Sequence, residues 1–184
     1  YEPSEPEGMV FIPGGTFRMG DSQGDTNVFA VANPVHTVRV SPFYIARYEF
    51  TNQKMRDSLQ WAWNQRLITV ESNLVISTEG PTNALVKLGN YNSEIFFPNG
   101  LFTVKAGRVV FPAQYISWFG AVASCNYLSG MTGRELCYDL KTWGCDFTKK
   151  GFRLPTEAEW EFAARGGHDG LRFPWAHTNV ITHK

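Results

Sequence analysis

The sequence predicts an α+β domain dense in turns and in aromatic side chains. Three observations carry this reading. Short stretches of alternating apolar and polar residues are bounded by Gly and Pro, the pattern of half-buried strands. Three other stretches repeat their apolar residues at helical spacing and begin on a Ser or Thr cap. Aromatic residues make up 15% of the 184 positions and charged residues only 18%, while 17 glycines and 10 prolines are spread along the chain rather than clustered. That length suffices for one core, and the composition is not that of a disordered chain.

In chain order, "MVFIPGGTFRMG" (9–20) reads as strand, Gly-Gly turn, strand. "DSQGDTNVFAVANP" (21–34) is a polar loop, and "VHTVRVSPFYIARYEFT" (35–51) is a second strand region with His36, Val38 and Val40 on one face. Thr51 caps a helix on which Met55, Leu59, Ala62 and Trp63 form the apolar stripe. Residues 71–112 hold strand-like "SNLVIST", "EIFF" and "LFTVKAGRVVF", joined by turn signals at Gly80-Pro81 and Pro98-Asn99-Gly100. "SWFGAVASCNYLSG" (117–130) predicts a helix capped by Ser117 and stopped by Gly130, with Ala121, Val122, Cys125 and Leu128 facing inward.

"GFRLPTEAEWEFAARGG" (151–167) predicts the third helix. Pro155 is tolerated just before a helix. Thr156 and Glu159 stand at capping-box spacing. Glu157 and Glu159 place negative charge in the first turn, Arg165 places positive charge in the last, and Gly166 supplies the stop. Trp160, Ala163 and Ala164 form its apolar stripe.

Lys plus Arg and Asp plus Glu each total 17, so there is no basic field for nucleic acid or anionic lipid. No apolar run is long enough to span a membrane as a helix. Residues 1–8 are rich in Pro and Glu and read as a linker or a processed start. Low charge and that start lean towards an exported bacterial protein. The three cysteines, Cys125, Cys137 and Cys145, contain no Cys-x-x-Cys. Cys137 and Cys145 bracket a short loop, which allows either a loop disulfide in an oxidising compartment or two reduced thiols.

Other candidates point to no reaction. His168, Asp169, His177 and His183 gather near the C-terminus in spacings that match no ligand pattern. Glu157, Glu159 and Glu161 resemble paired acids, but capping and the helix dipole account for two of them. Asp21 and Asp25 lack the ordered oxygens and terminal Glu of a calcium loop. There is no phosphate loop, nucleophile elbow or dinucleotide fingerprint.

"GFRLPTEAEWEFAARGG" followed by "FPW" closely resembles the signature of the formylglycine-generating enzyme, or sulfatase-modifying factor, family. "MVFIPGGTFRMG", "PVHTVRVSPFYIARYEFTN", "ISWFGAVASCNYLS" and "CYDLKTWGCDFTKKGFRLP" resemble further family blocks, in the family's order, from Met9 to Trp175. The resemblance implies a C-type-lectin-like α+β fold over residues 9–184 with helices at 52–66 and 118–129 beside a small sheet. It makes Arg153, Pro155, Thr156, Glu159, Trp160, Arg165 and Trp175 structural motif residues, with Trp160 in the core and Arg153 and Arg165 anchoring loops.

The implied activity is oxidation of a cysteine in an unfolded sulfatase to formylglycine with O2 and copper held by two thiolates. The family's copper cysteines and calcium ligands lie after Gly-Asn-x-Trp-Glu-Trp and Arg-Gly-Gly-Ser-Trp segments that this sequence does not contain. No catalytic or metal residue therefore carries over to it, and "FPWAHTN" departs from the usual Phe-Pro-Trp-Gly. Cys125 matches a family cysteine that pairs with a C-terminal partner. The expectation is an N-terminal portion of the family domain, incomplete at its C-terminus and exposing apolar surface. The alternatives are a non-catalytic ligand- or protein-binding module on the same scaffold, and a piece of an iron-dependent sulfoxide synthase.

Overall fold

The computed structural model describes residues 8–21, 33–89 and 93–170. Asp25, Trp175, His177 and His183, singled out above, lie outside the described residues. The chain forms two compact units, one from residues 1–48 and 155–184, the other from residues 49–154.

In the first unit, the Pro13-Gly14 step turns the chain, but the strands on its two sides do not pair with each other. β1 (Met9–Ile12) pairs antiparallel with β4 (Phe43–Ala46), Met9 opposite Ala46 and Ile12 opposite Phe43. β2 (Gly15–Met19) pairs antiparallel with β3 (His36–Val40), Phe17 opposite Val38. Period-2 alternation puts Phe17 and Val40 inside and Thr16, Arg18 and Arg39 outside. The third helix, α3 (Glu157–Arg165), supplies Phe162 to this small core, where its ring meets that of Phe17 edge-on with centroids 5.3 Å apart.

The second unit holds the larger core. α1 (Asn52–Asn64) starts at Thr51, whose hydroxyl accepts the Lys54 N–H at 3.3 Å. It buries Met55, Ser58, Leu59 and Ala62 at i, i+3, i+4 and i+7. Three short strands, β5 (Ile68–Glu71), β6 (Leu74–Ser77) and β7 (Ala84–Lys87), form an antiparallel sheet in that order. β8 (Ile95–Phe96) pairs with β9 (Thr103–Val104). The strand expected through residue 111 ends at Val104. Residues 105–111 turn instead, with the Arg108 N–H on the Lys105 carbonyl and Asn52 donating to the Arg108 carbonyl at 3.0 Å.

α2 (Trp118–Met131) starts at Ser117, whose hydroxyl accepts the Gly120 N–H at 3.0 Å. It runs through Gly130 and ends at Thr132, against the expected stop. Gly130 is there for space, since a Cβ would strike the Trp61 ring. The inward face also differs from the expected one. Val122, Ala123, Asn126 and Tyr127 are buried, whereas Ala121, Cys125 and Leu128 lie at the margin. The helix is rotated because Gly120 lets its backbone press on the Leu85 carbonyl, which turns the 122–123–126–127 face to the sheet. The unit closes with a hairpin of β10 (Tyr138–Asp139) and β11 (Gly144–Cys145).

Candidate functional site

The signature stretch 151–167 contributes to both units, and each half has its own chemistry. In the first unit, α3 begins with a complete capping box. Thr156 Oγ1 accepts the Glu159 N–H at 3.2 Å, and Glu159 Oε2 accepts the Thr156 N–H at 2.8 Å. Gly166 ends the helix in the left-handed conformation, φ 59°.

The last turn of α3 holds the end of β2. Glu161 Oε1 accepts the Gly20 N–H at 3.1 Å, and Arg165 donates to the Gly20 carbonyl at 3.0 Å. Arg165 also binds Glu161 Oε1 through Nε at 2.8 Å, so both polar groups of one peptide residue are held by one ion pair. The Arg18 N–H donates to the Asp169 carboxylate at 3.1 Å. Glu161 is therefore a clamp for the backbone, not one of a pair of reactive acids, and Asp169 binds β2. The Arg165–Glu161 spacing of four residues was legible in the sequence, but the attachment of Gly20 was not. Trp160, expected in the core, stands 62% exposed, and Phe162 takes that place at 9%. The reason is phase: β2 and β3 approach the side of α3 that carries Ala158 and Phe162.

The other half of the signature belongs to the second unit. The Phe152 N–H donates to Ser129 Oγ at 2.8 Å, and the Leu154 N–H donates to the Tyr138 hydroxyl at 3.0 Å. The Arg153 guanidinium sits over the Phe147 ring, 5.0 Å from its centroid, and donates to the Leu154 carbonyl. Asn126 on α2 reads the outer edge of β10. Its carbonyl accepts the Tyr138 N–H at 3.0 Å and its amide donates to the Tyr138 carbonyl at 2.7 Å.

All three cysteines lie around this seam as free thiols. Tyr138 stands opposite Cys145, and the Asp146 N–H meets the Cys137 carbonyl. Cys137 and Cys145 are thus one step out of register and project from opposite faces of the hairpin, and the loop disulfide that the spacing allowed is absent. Cys137 is buried with its thiol towards the Lys149 carbonyl. An opening of about 500 Å3 is lined by Cys137, Asp139, Thr142, Cys145, Asp146 and Lys149. Burial, then the neighbouring Cys137 and Cys145, push the Cys125 thiol up to about 12. Burial also raises Cys145, while the Lys141 N–H and the Thr142 hydroxyl lower the Asp139 carboxyl.

This donor set does not fit copper(I). A soft cation needs thiolates, and thiols held protonated by burial, with Cys137 and Cys145 on opposite faces, offer none. Among the described residues no group of three His, Cys, Asp or Glu side chains could hold an ion. No helix of the described residues is long and apolar enough to cross a membrane.

The sequence matches the Sulfatase-modifying factor enzyme 1-like domain over residues 2–184. The formylglycine-generating enzyme of Thermomonospora curvata is 33% identical over 187 aligned residues, which take in 92% of this chain and 52% of that protein. The inactive C-alpha-formylglycine-generating enzyme 2 of Bos taurus is 28% identical, across 91% of this chain and 52% of the relative. The chain thus spans about half the length of these curated relatives. The crystal structure of CarF shares the fold, with a TM-score of 0.55 at 21% identity, over 92% of this chain and 62% of that one. Family match and structural neighbour together give the C-type-lectin-like α+β fold that the sequence motifs imply. On a match that runs almost from end to end, this chain belongs to the sulfatase-modifying factor enzyme 1-like family.

Proposed function

We propose that this chain is the N-terminal portion of a formylglycine-generating-type domain, a linker of residues 1–8 followed by scaffold from residue 9 onward. The complete domain would oxidise a cysteine of an unfolded sulfatase with O2 and copper, and calcium would belong to the complete domain as well. The observation that carries this reading is the family match over residues 2–184 beside coverage of only 52% of the related enzyme. The chain's part is structural: the α3 clamp on Gly20 and the Asn126–Tyr138 seam fix the loops that a peptide substrate would meet. Its own thiols do not offer a copper site, so the chain alone does not turn over substrate.

The test is a Cys-x-Pro-x-Arg peptide incubated aerobically with copper and this chain, followed by mass spectrometry for the aldehyde. No formylglycine is expected, and its formation would overturn the reading. A second reading, a non-catalytic binding module on the same scaffold, is favoured by the similarity to the inactive bovine relative. It predicts that a longer form would retain peptide binding and bind no copper.

A further inference from the structure

The hairpin register separates Cys145 from Cys137 and puts it in the company of Cys125. Cys145 stands directly across from Tyr138, and directly opposed residues share a face. The Asn126 side chain fastens α2 to the outer edge of that same tyrosine, at 2.7 and 3.0 Å, and Cys125 is the next residue on the helix. Cys125 and Cys145 are both half-buried against the same apolar core. The Tyr138 hydroxyl feels both thiols, and Cys145 hydrogen-bonds to it. Cys137, on the opposite face, is turned to Lys149. Cys145 also lines the opening of about 500 Å3, so a small oxidant has a way in.

We propose that Cys125 and Cys145 are a disulfide-forming pair that ties α2 to the β10–β11 hairpin across Tyr138, with Cys137 left reduced. The oxidant is a low-molecular-weight disulfide. The Cys145 thiolate attacks one of its sulfurs, the S–S bond breaks and one thiol departs, leaving a mixed disulfide. The Cys125 thiolate then attacks Cys145 Sγ and expels the second thiol. Two protons and two electrons pass from the protein to the oxidant, which becomes two thiols. Both protein thiols sit above the usual range, so the exchange is slow near neutral pH and speeds up as pH rises.

The experiment uses the whole chain incubated with glutathione disulfide. It is then quenched in acid, alkylated and digested without reduction for peptide mass spectrometry. The expected product is a Cys125–Cys145 linked peptide pair, two hydrogens lighter than the separate peptides, with Cys137 alkylated. A link through Cys137, glutathione adducts without an internal link, or three alkylated cysteines would each overturn the proposal. Cys145→Ser must abolish the link and leave Cys125 alkylated, while Cys137→Ser must keep it. The mapping of the unaltered chain decides the matter even where a variant fails to fold.

Discussion

Gly120 shows how one missing methyl fixes a helix. A Cβ there would run into the Leu85 carbonyl, backbone against backbone, with no flexible side chain to yield. Gly120→Ala should therefore lower stability by about 1–3 kcal/mol, the range for overpacking, although alanine is the better helix former. Chemical denaturation checks it, and an unchanged midpoint would refute the close approach. Phe162 and Trp160 form the second residue-scale pair. Phe162→Ala should cost about 3–5 kcal/mol as a core truncation, whereas Trp160→Ala should change stability by less than about 0.5 kcal/mol. From sequence alone the ranking is the reverse, because both aromatics fit an apolar stripe. Only the approach of β2 and β3 decides which one faces inward.

Titration belongs to the residue scale too. Cys125 ionises near 9.0 when exposed and at about 12 in the fold, so the folded state favours the protonated thiol. Its contribution to stability is complete below pH 9.0 and is lost as pH rises from there towards 12. Denaturation midpoints measured along that alkaline interval should fall less steeply in Cys125→Ala than in the unaltered chain. Equal slopes would contradict the burial of this thiol.

At the scale of elements, α3 was the most legible part of the sequence. Thr156, Glu159, Arg165 and Gly166 are local signals, and each acts within one turn of its own position. Thr156→Ala should cost about 1 kcal/mol as a lost cap, and Thr156→Ser should recover most of it. Arg165→Lys keeps the charge but loses the fork that holds Glu161 and the Gly20 carbonyl together. Faster hydrogen exchange at the Gly20 amide is the expected readout. Exchange unchanged from the parent would show that the clamp does not hold β2. The strand pairings were not legible, because β1 with β4 and β2 with β3 are joined by long connections that turn residues do not encode. The Gly130 stop misled for a related reason: a glycine can serve space as well as a left-handed turn, and the Trp61 ring that needs the space lies far along the chain.

At the scale of the whole molecule, family motifs in order pointed to the fold, while the thiol arrangement stayed hidden. Three cysteine positions do not reveal a hairpin register, and the register is what sets Cys137 apart from Cys145. Large apolar side chains remain on the outside, Val110 at 70% and Trp118 at 54% among them. A hydrophobic dye such as ANS should therefore brighten on binding this chain in its native state.

The central claim is that the chain is scaffold for a longer oxidase domain. The direct measurement is to read the coding DNA onward from the Lys184 codon. The account predicts an open frame that reaches an Arg-Gly-Gly-Ser-Trp segment with two nearby cysteines. A stop codon immediately after Lys184, or a continuing scaffold without those cysteines, would contradict it.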